Sequence, residues 1–138
     1  MKSEYTTDEY TKAQDTIDHY EHRAIEVMQY CGVEKVRKWH RNCLETFVHL
    51  YTQGDEPQPR VNISLFMGEE FEPPTHTFVF PWFLMNMPNA EIPDAYAKWR
   101  KAEDEAIAKR KAEKEKHWAE VRAKYLAEHP EEASYNNS

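Results

Sequence analysis

The segment from Asp94 to Glu128 constrains the fold more than any other. Its 35 residues contain neither glycine nor proline, with Pro93 just before them and Pro130 just after. Proline is tolerated at the first turn of a helix and stops one at its end. Oppositely charged side chains recur four residues apart, as in Glu105–Lys109, Lys111–Glu115 and Glu120–Lys124. Each such pair adds only ~0.2–0.5 kcal/mol, but together they favour a solvated helix. At ~1.5 Å per residue the helix would run about 52 Å, whereas a compact 100-residue domain is on the order of 35 Å across. The helix is therefore expected to be longer than the body that carries it. Its large apolar residues gather at the two ends: Tyr96, Trp99 and Ile107 early, then Trp118, Val121, Tyr125 and Leu126. Only Ala108 and Ala112 are apolar between Ile107 and Trp118.

That leaves residues 7–93 to form the folded body. Thr6 followed by Glu9 has the spacing of a capping box. From there Tyr10, Ala13, Ile17, Tyr20, Ala24, Val27/Met28 and Cys31 recur at steps of three and four, one narrow apolar stripe that ends at Gly32. This predicts a first helix over 7–31. A second is predicted over 33–53, stopped by Gly54 and the prolines at 57 and 59. Its apolar positions (Val36, Trp39, His40, Cys43, Leu44, Phe47, Val48, Leu50, Tyr51) cover about half of a helix circumference. A face that wide has to be covered from two sides, so this helix is expected at the centre of the core.

Val61, Ile63, Leu65 and Met67 alternate with Asn62, Ser64 and Phe66, the period of a half-buried strand over 61–67. A second strand is expected over 76–85, rich in Phe, Val and Trp. Pro81 inside it removes a ladder donor and makes it an edge strand or a bulged one. The fold class that results is α+β: an antiparallel helical hairpin packed on a two-stranded β-hairpin, followed by one long C-terminal helix. Residues 1–6 and 129–138 are expected to be a disordered lead and tail.

Charge is unevenly spread. The net charge is −7. Residues 1–32 carry 3 basic and 7 acidic groups, residues 33–53 carry 4 and 2, residues 54–93 carry 1 and 6, and residues 94–138 carry 10 of each. Lys35, Arg37, Lys38 and Arg41, with Trp39 among them, form the one short basic cluster before residue 94. A helix so decorated could hold phosphate and stack a base, with Arg60 as a further contact. An acidic chain repels a polyanion, which makes nucleic acid the less favoured partner. Pairing of these cations with the acidic first helix is the plainer reading.

Chemistry-bearing motifs are sparse. Three isolated glycines (Gly32, Gly54, Gly68) cannot build a phosphate-cradling loop, and there is no G-x-S-x-G, H-E-x-x-H or C-x-x-C. Asp15, Asp18, His19 and His22 have helical metal-ligand spacing, but Asp15, His19 and His22 lie opposite the apolar stripe. An exposed cluster of that kind without supporting groups holds a metal weakly. No cofactor or metal is expected. His40 and Cys43 fall one turn apart in the second helix, the spacing of an activated thiol, and are the residues a small enzyme would use. A core histidine bonded to backbone or tyrosine is the more frequent outcome. The two cysteines are predicted about 16 Å apart along the helical hairpin, too far for a disulfide. With no apolar run near the ~20 residues a spanning helix needs and no secretion leader, the chain is expected to be cytoplasmic and to have no membrane partner.

The remaining signal concerns contacts. Phe78–Met87 holds seven large apolar residues, among them Phe80, Trp82 and Phe83, more than one face of a two-stranded hairpin can bury. Trp118, Val121, Tyr125 and Leu126 form a second apolar cluster beyond a charged spacer. The expectation is a non-catalytic protein-binding or assembly module, a homo-oligomer or the binder of another protein, that acts through these two groups. A small, glycine-poor, aromatic acidic chain of this kind suits a phage or mobile-element inhibitor or adaptor.

Overall fold

The computed structural model describes residue 4 and residues 6–132, and it shows an α+β protein with three strands. The expected lead is described only at residue 4 and at Thr6, which caps the first helix. Of the expected tail, residues 129–132 are described, with helical backbone at 130–132. The rest of both segments lies outside the described residues.

Helix α1 runs Thr7–Tyr30. The Thr6 hydroxyl accepts from the Glu9 amide at 3.2 Å, which satisfies one of the free donors of the first turn. At the other end Gly32 adopts φ 112°, a left-handed conformation that suits a residue without Cβ. The Gly32 amide then donates to Gln29 O at 3.0 Å and the Val33 amide to Met28 O at 3.3 Å, the paired bonds of a Schellman ending.

The predicted second helix is only one-third helix. Helix α2 is Val36–Asn42, and the backbone turns extended at Cys43 (φ −75°, ψ 152°). Glu45–Tyr51 is strand β1, not the continuation of a helix. Strands β2 (Arg60–Phe66) and β3 (Thr75–Pro81) complete an antiparallel sheet in the order β1-β2-β3. The register sets Thr46, Val48 and Leu50 beside Leu65, Ile63 and Val61, and those beside His76, Phe78 and Phe80. These nine positions share the face that meets α1. The centre of the body is therefore β2, whose Val61, Ile63 and Leu65 are fully buried, while α2 buries only Val36.

Strand β3 is an edge strand, as Pro81 requires, and it ends at that proline instead of reaching residue 85. The chain then leaves the sheet in a 3₁₀ turn, Trp82–Asn86, with the Trp82 amide bonded to Pro59 O at 3.1 Å. Arg23 of α1 holds this departing segment: its guanidinium donates to Met85 O at 2.9 Å, to Met87 O at 2.7 Å and to the Asn89 side chain. Carbonyls that no ladder reaches thus find a charged donor. The core joins Ala24, Val27 and Met28 of α1 to Val36, the β2 residues, Phe80, Leu84 and Ile92.

Helix α3 is Ile92–Glu128, 37 residues without a break, or about 55 Å. The chain divides into two units, one up to Trp99 and one from Arg100 on. In the first, Tyr96 packs on Phe78 (ring centroids 5.4 Å apart) and Trp99 lies against Arg60. In the second, exposed helix is stitched by local pairs such as Arg100–Asp104. Among the described residues no helix is long and apolar enough to cross a membrane.

Candidate protein-docking site

A helix of 24 residues is about 36 Å long, while a seven-residue strand spans about 23 Å. Helix α1 is therefore too long for the sheet it covers. Only Ala24, Ile25, Val27 and Met28, in its last third, are buried. The same apolar stripe continues toward the N-terminus only partly covered: Tyr10 is 72%, Ile17 58% and Tyr20 49% exposed. A soluble helix does not need this periodicity on a face that meets only water, and contiguous exposed apolar surface marks contact sites.

The exposed row leads into an open groove of about 480 Å³ between α1 and the sheet. Ile17 and Tyr20 of α1 line it with Thr46, Val48 and Leu50 of edge strand β1, and Trp82 and Met85 add to the lining. Leu50 is half exposed, and Tyr20 and Trp82 meet with ring centroids 6.3 Å apart. Among the described residues Glu21 is the only carboxylate or cationic side chain in the lining. Such a cleft favours apolar side chains and offers little to a charged small molecule. β1 forms the groove because it is an edge strand whose core-facing residues have no third layer above them.

The residues expected to contact a partner are divided by the structure. Phe80 is fully buried and belongs to the core, not to any partner surface. Trp82 lines the groove, and Phe83 is 41% exposed. In the second unit Trp118, Val121 and Tyr125 are exposed and Leu126 is partly covered. Tyr125 stacks on His129, and a hydrogen bond to Glu132 raises its hydroxyl pKa above the usual value. The exposed half of α1 and the strand β1 were missing from that set. The uninterrupted stripe from Tyr10 was visible in the sequence, but how much of it the sheet covers was not.

His40 points its Nε2 at Glu21 Oε1, 3.1 Å away, and meets the His22 ring edge-on at 5.7 Å. The Cys43 thiol bonds instead to the backbone oxygen of His40 and to the Thr46 hydroxyl, both at 3.1 Å. Thiol and imidazole thus serve different partners, and no activated pair is assembled. Cys31 is pushed up to about 12 by burial, far from a thiolate at neutral pH. In the basic cluster, Arg37 donates to Gln29 and lies 4.0 Å from Glu26, both on α1. Lys35, Lys38 and Arg41 are exposed, but Trp39 is stacked flat on His76, with centroids 3.8 Å apart, and cannot take a base between them. Arg60 is buried, ion-paired with Glu56, and its guanidinium sits 5.2 Å from the Trp99 ring centre. Among the described residues no three His, Cys, Asp or Glu side chains converge as a metal site would require.

No family model matches the chain, and neither the curated proteins nor the solved structures compared with it contain a match.

Proposed function

We propose that this chain is a non-catalytic protein-binding or assembly module whose docking surface is the apolar row of α1 and the groove between α1 and β1. The observation that carries this reading is the continuity of Tyr10, Ile17 and Tyr20 with the groove residues Leu50 and Trp82. Fully burying a large apolar side chain is worth about 1.5–3 kcal/mol, so covering the exposed parts of these five would supply several kcal/mol in sum. That is enough to drive association once the ordering costs are met. The second apolar cluster, around Trp118, belongs to the same activity. Electrostatics support it too, since both the exposed half of α1 and the far part of α3 are strongly charged around their apolar rows.

The test is a groove variant, Leu50→Asp, compared with the unaltered chain in sedimentation of the pure protein and in capture from a lysate of its source. The substitution is expected to leave the fold intact, because Leu50 is half solvated, and to abolish whatever association the unaltered chain shows. Association that survives both Leu50→Asp and Tyr20→Ala would overturn the groove as docking surface.

A further inference from the structure

The two uncovered helical faces match each other. Residues 7–21 of α1 carry five acids (Asp8, Glu9, Asp15, Asp18, Glu21) and one base, a net charge of −4. Residues 107–126 of α3 carry seven bases and three acids, a net charge of +4. On α1 the apolar row Tyr10–Ala13–Ile17–Tyr20 follows steps of three and four, and Glu9 and Glu21 border it. On α3, Trp118, Val121 and Tyr125 follow the same steps, and at ~100° per residue Lys111 and Lys114 fall on that same face. Rows of this spacing are what helix pairs interlock, and charges beside the row choose the partner. The lengths agree as well: Tyr10 to Tyr20 is about 15 Å along the axis and Trp118 to Tyr125 about 10 Å, so the shorter row fits within the longer.

We infer that the exposed acidic half of α1 docks the basic 107–126 segment of α3 from a second copy of this chain. This rests on the protein-binding reading above and names its partner. In a two-fold arrangement the contact is made twice, α1 on the partner's α3 and the partner's α1 on this α3, so that both oily rows of both copies are covered. Opposite net charges of four units on facing helices also suppress the alternatives: α1 against α1 and α3 against α3 each set like charges side by side.

The experiment measures solution mass by sedimentation for the full chain and for two charge-swapped forms. One form is Glu9→Lys with Asp18→Lys, and the other Lys111→Glu with Lys114→Glu, all at solvent-exposed or half-exposed positions. The unaltered chain is expected at twice 16.5 kDa at micromolar concentration, with a dissociation constant that rises several-fold from 50 to 500 mM salt as screening shortens the range of the charges. Each swapped form alone is expected to dissociate at least tenfold more readily. Mixed one to one, they are expected to form a heterodimer, because one contact regains the −4 and +4 faces and the other sets the introduced lysines against the introduced glutamates. Circular dichroism identical to that of the unaltered chain confirms that the swapped forms are folded. An unaltered chain that stays at 16.5 kDa up to hundreds of micromolar overturns the second-copy pairing. If Leu50→Asp still removes capture of another protein in that case, the docking surface stands with a foreign partner. Dimers that persist unchanged in both swapped forms place the contact elsewhere and overturn the pairing equally.

Discussion

Two isoleucines eight residues apart on α1 provide a sharp check on the claim that half of this helix lies outside the fold. Ile25 is 5% exposed and packed in the core, while Ile17, on the apolar stripe nearer the N-terminus, is 58% exposed. Truncating each to alanine removes the same atoms from very different surroundings. At position 25 the loss is transfer free energy plus a cavity in the core, about 2–5 kcal/mol. At position 17 less than half of the side chain is out of water, so at ~1.5–3 kcal/mol for full burial the loss is about 1 kcal/mol. Alanine's better helix propensity returns ~0.3–0.5 kcal/mol of that, leaving a net cost under about 1 kcal/mol. Urea unfolding of the two variants, with a shared slope, measures the difference directly. In a thermal melt of a chain this size Ile25→Ala is expected to fall by about 10 °C or more and Ile17→Ala by roughly 3 °C or less. The melts are read at the lowest usable protein concentration, because association through Ile17 would add to apparent stability. Equal costs at the two positions would show that the N-terminal half of α1 is core, and the docking row would vanish with it.

Replacing Arg60 by alanine removes a buried cation from Glu56 and from the Trp99 face; Glu56 keeps access to water, so a stability loss of about 2–3 kcal/mol is expected in denaturant unfolding. Lys38→Ala, on exposed α2, should stay within ~0.5 kcal/mol of the unaltered chain. Gly32→Ala forces a side chain into φ 112° at the end of α1 and is expected to cost about 1–2 kcal/mol although the space around it is open, which a melt compared with Gly32→Asn, a residue that tolerates left-handed backbone, would resolve. Burial raises the Cys31 thiol from 9.0 to about 12; at pH 8 this leaves about a thousandfold less thiolate than the unshifted group would have, so alkylation of Cys31 in the folded chain should be slow and should accelerate sharply in urea. The sign of the linkage follows: the folded pKa lies above the unfolded one, so this contribution to stability is complete below pH 9 and declines as pH rises toward 12.

Local chemistry was legible in the sequence wherever neighbouring residues decide the outcome. Thr6 caps α1, Gly32 closes it, Pro81 confines β3 to an edge and ends it, and an unbroken run of helix-forming residues after Pro93 makes α3. The cations of α2 read as partners of acidic α1, and Arg37 sits against Glu26. The stretch 43–51 was not legible, because its residues satisfy two periods at once. On a helix, Cys43, Phe47 and Leu50 share a face; as a strand, Thr46, Val48 and Leu50 alternate with Phe47, His49 and Tyr51. Only β2 resolves the choice: a strand with Val61, Ile63 and Leu65 fully buried requires a neighbour on each edge, and residues 45–51 are the ones whose hairpin can reach its free side. The candidate docking site has the same origin. A stripe at helical spacing states that a helix face is apolar, but the extent of the sheet beneath it determines how much of that face is covered. That extent depends on which residues pair as strands across the chain, which no local window of sequence contains.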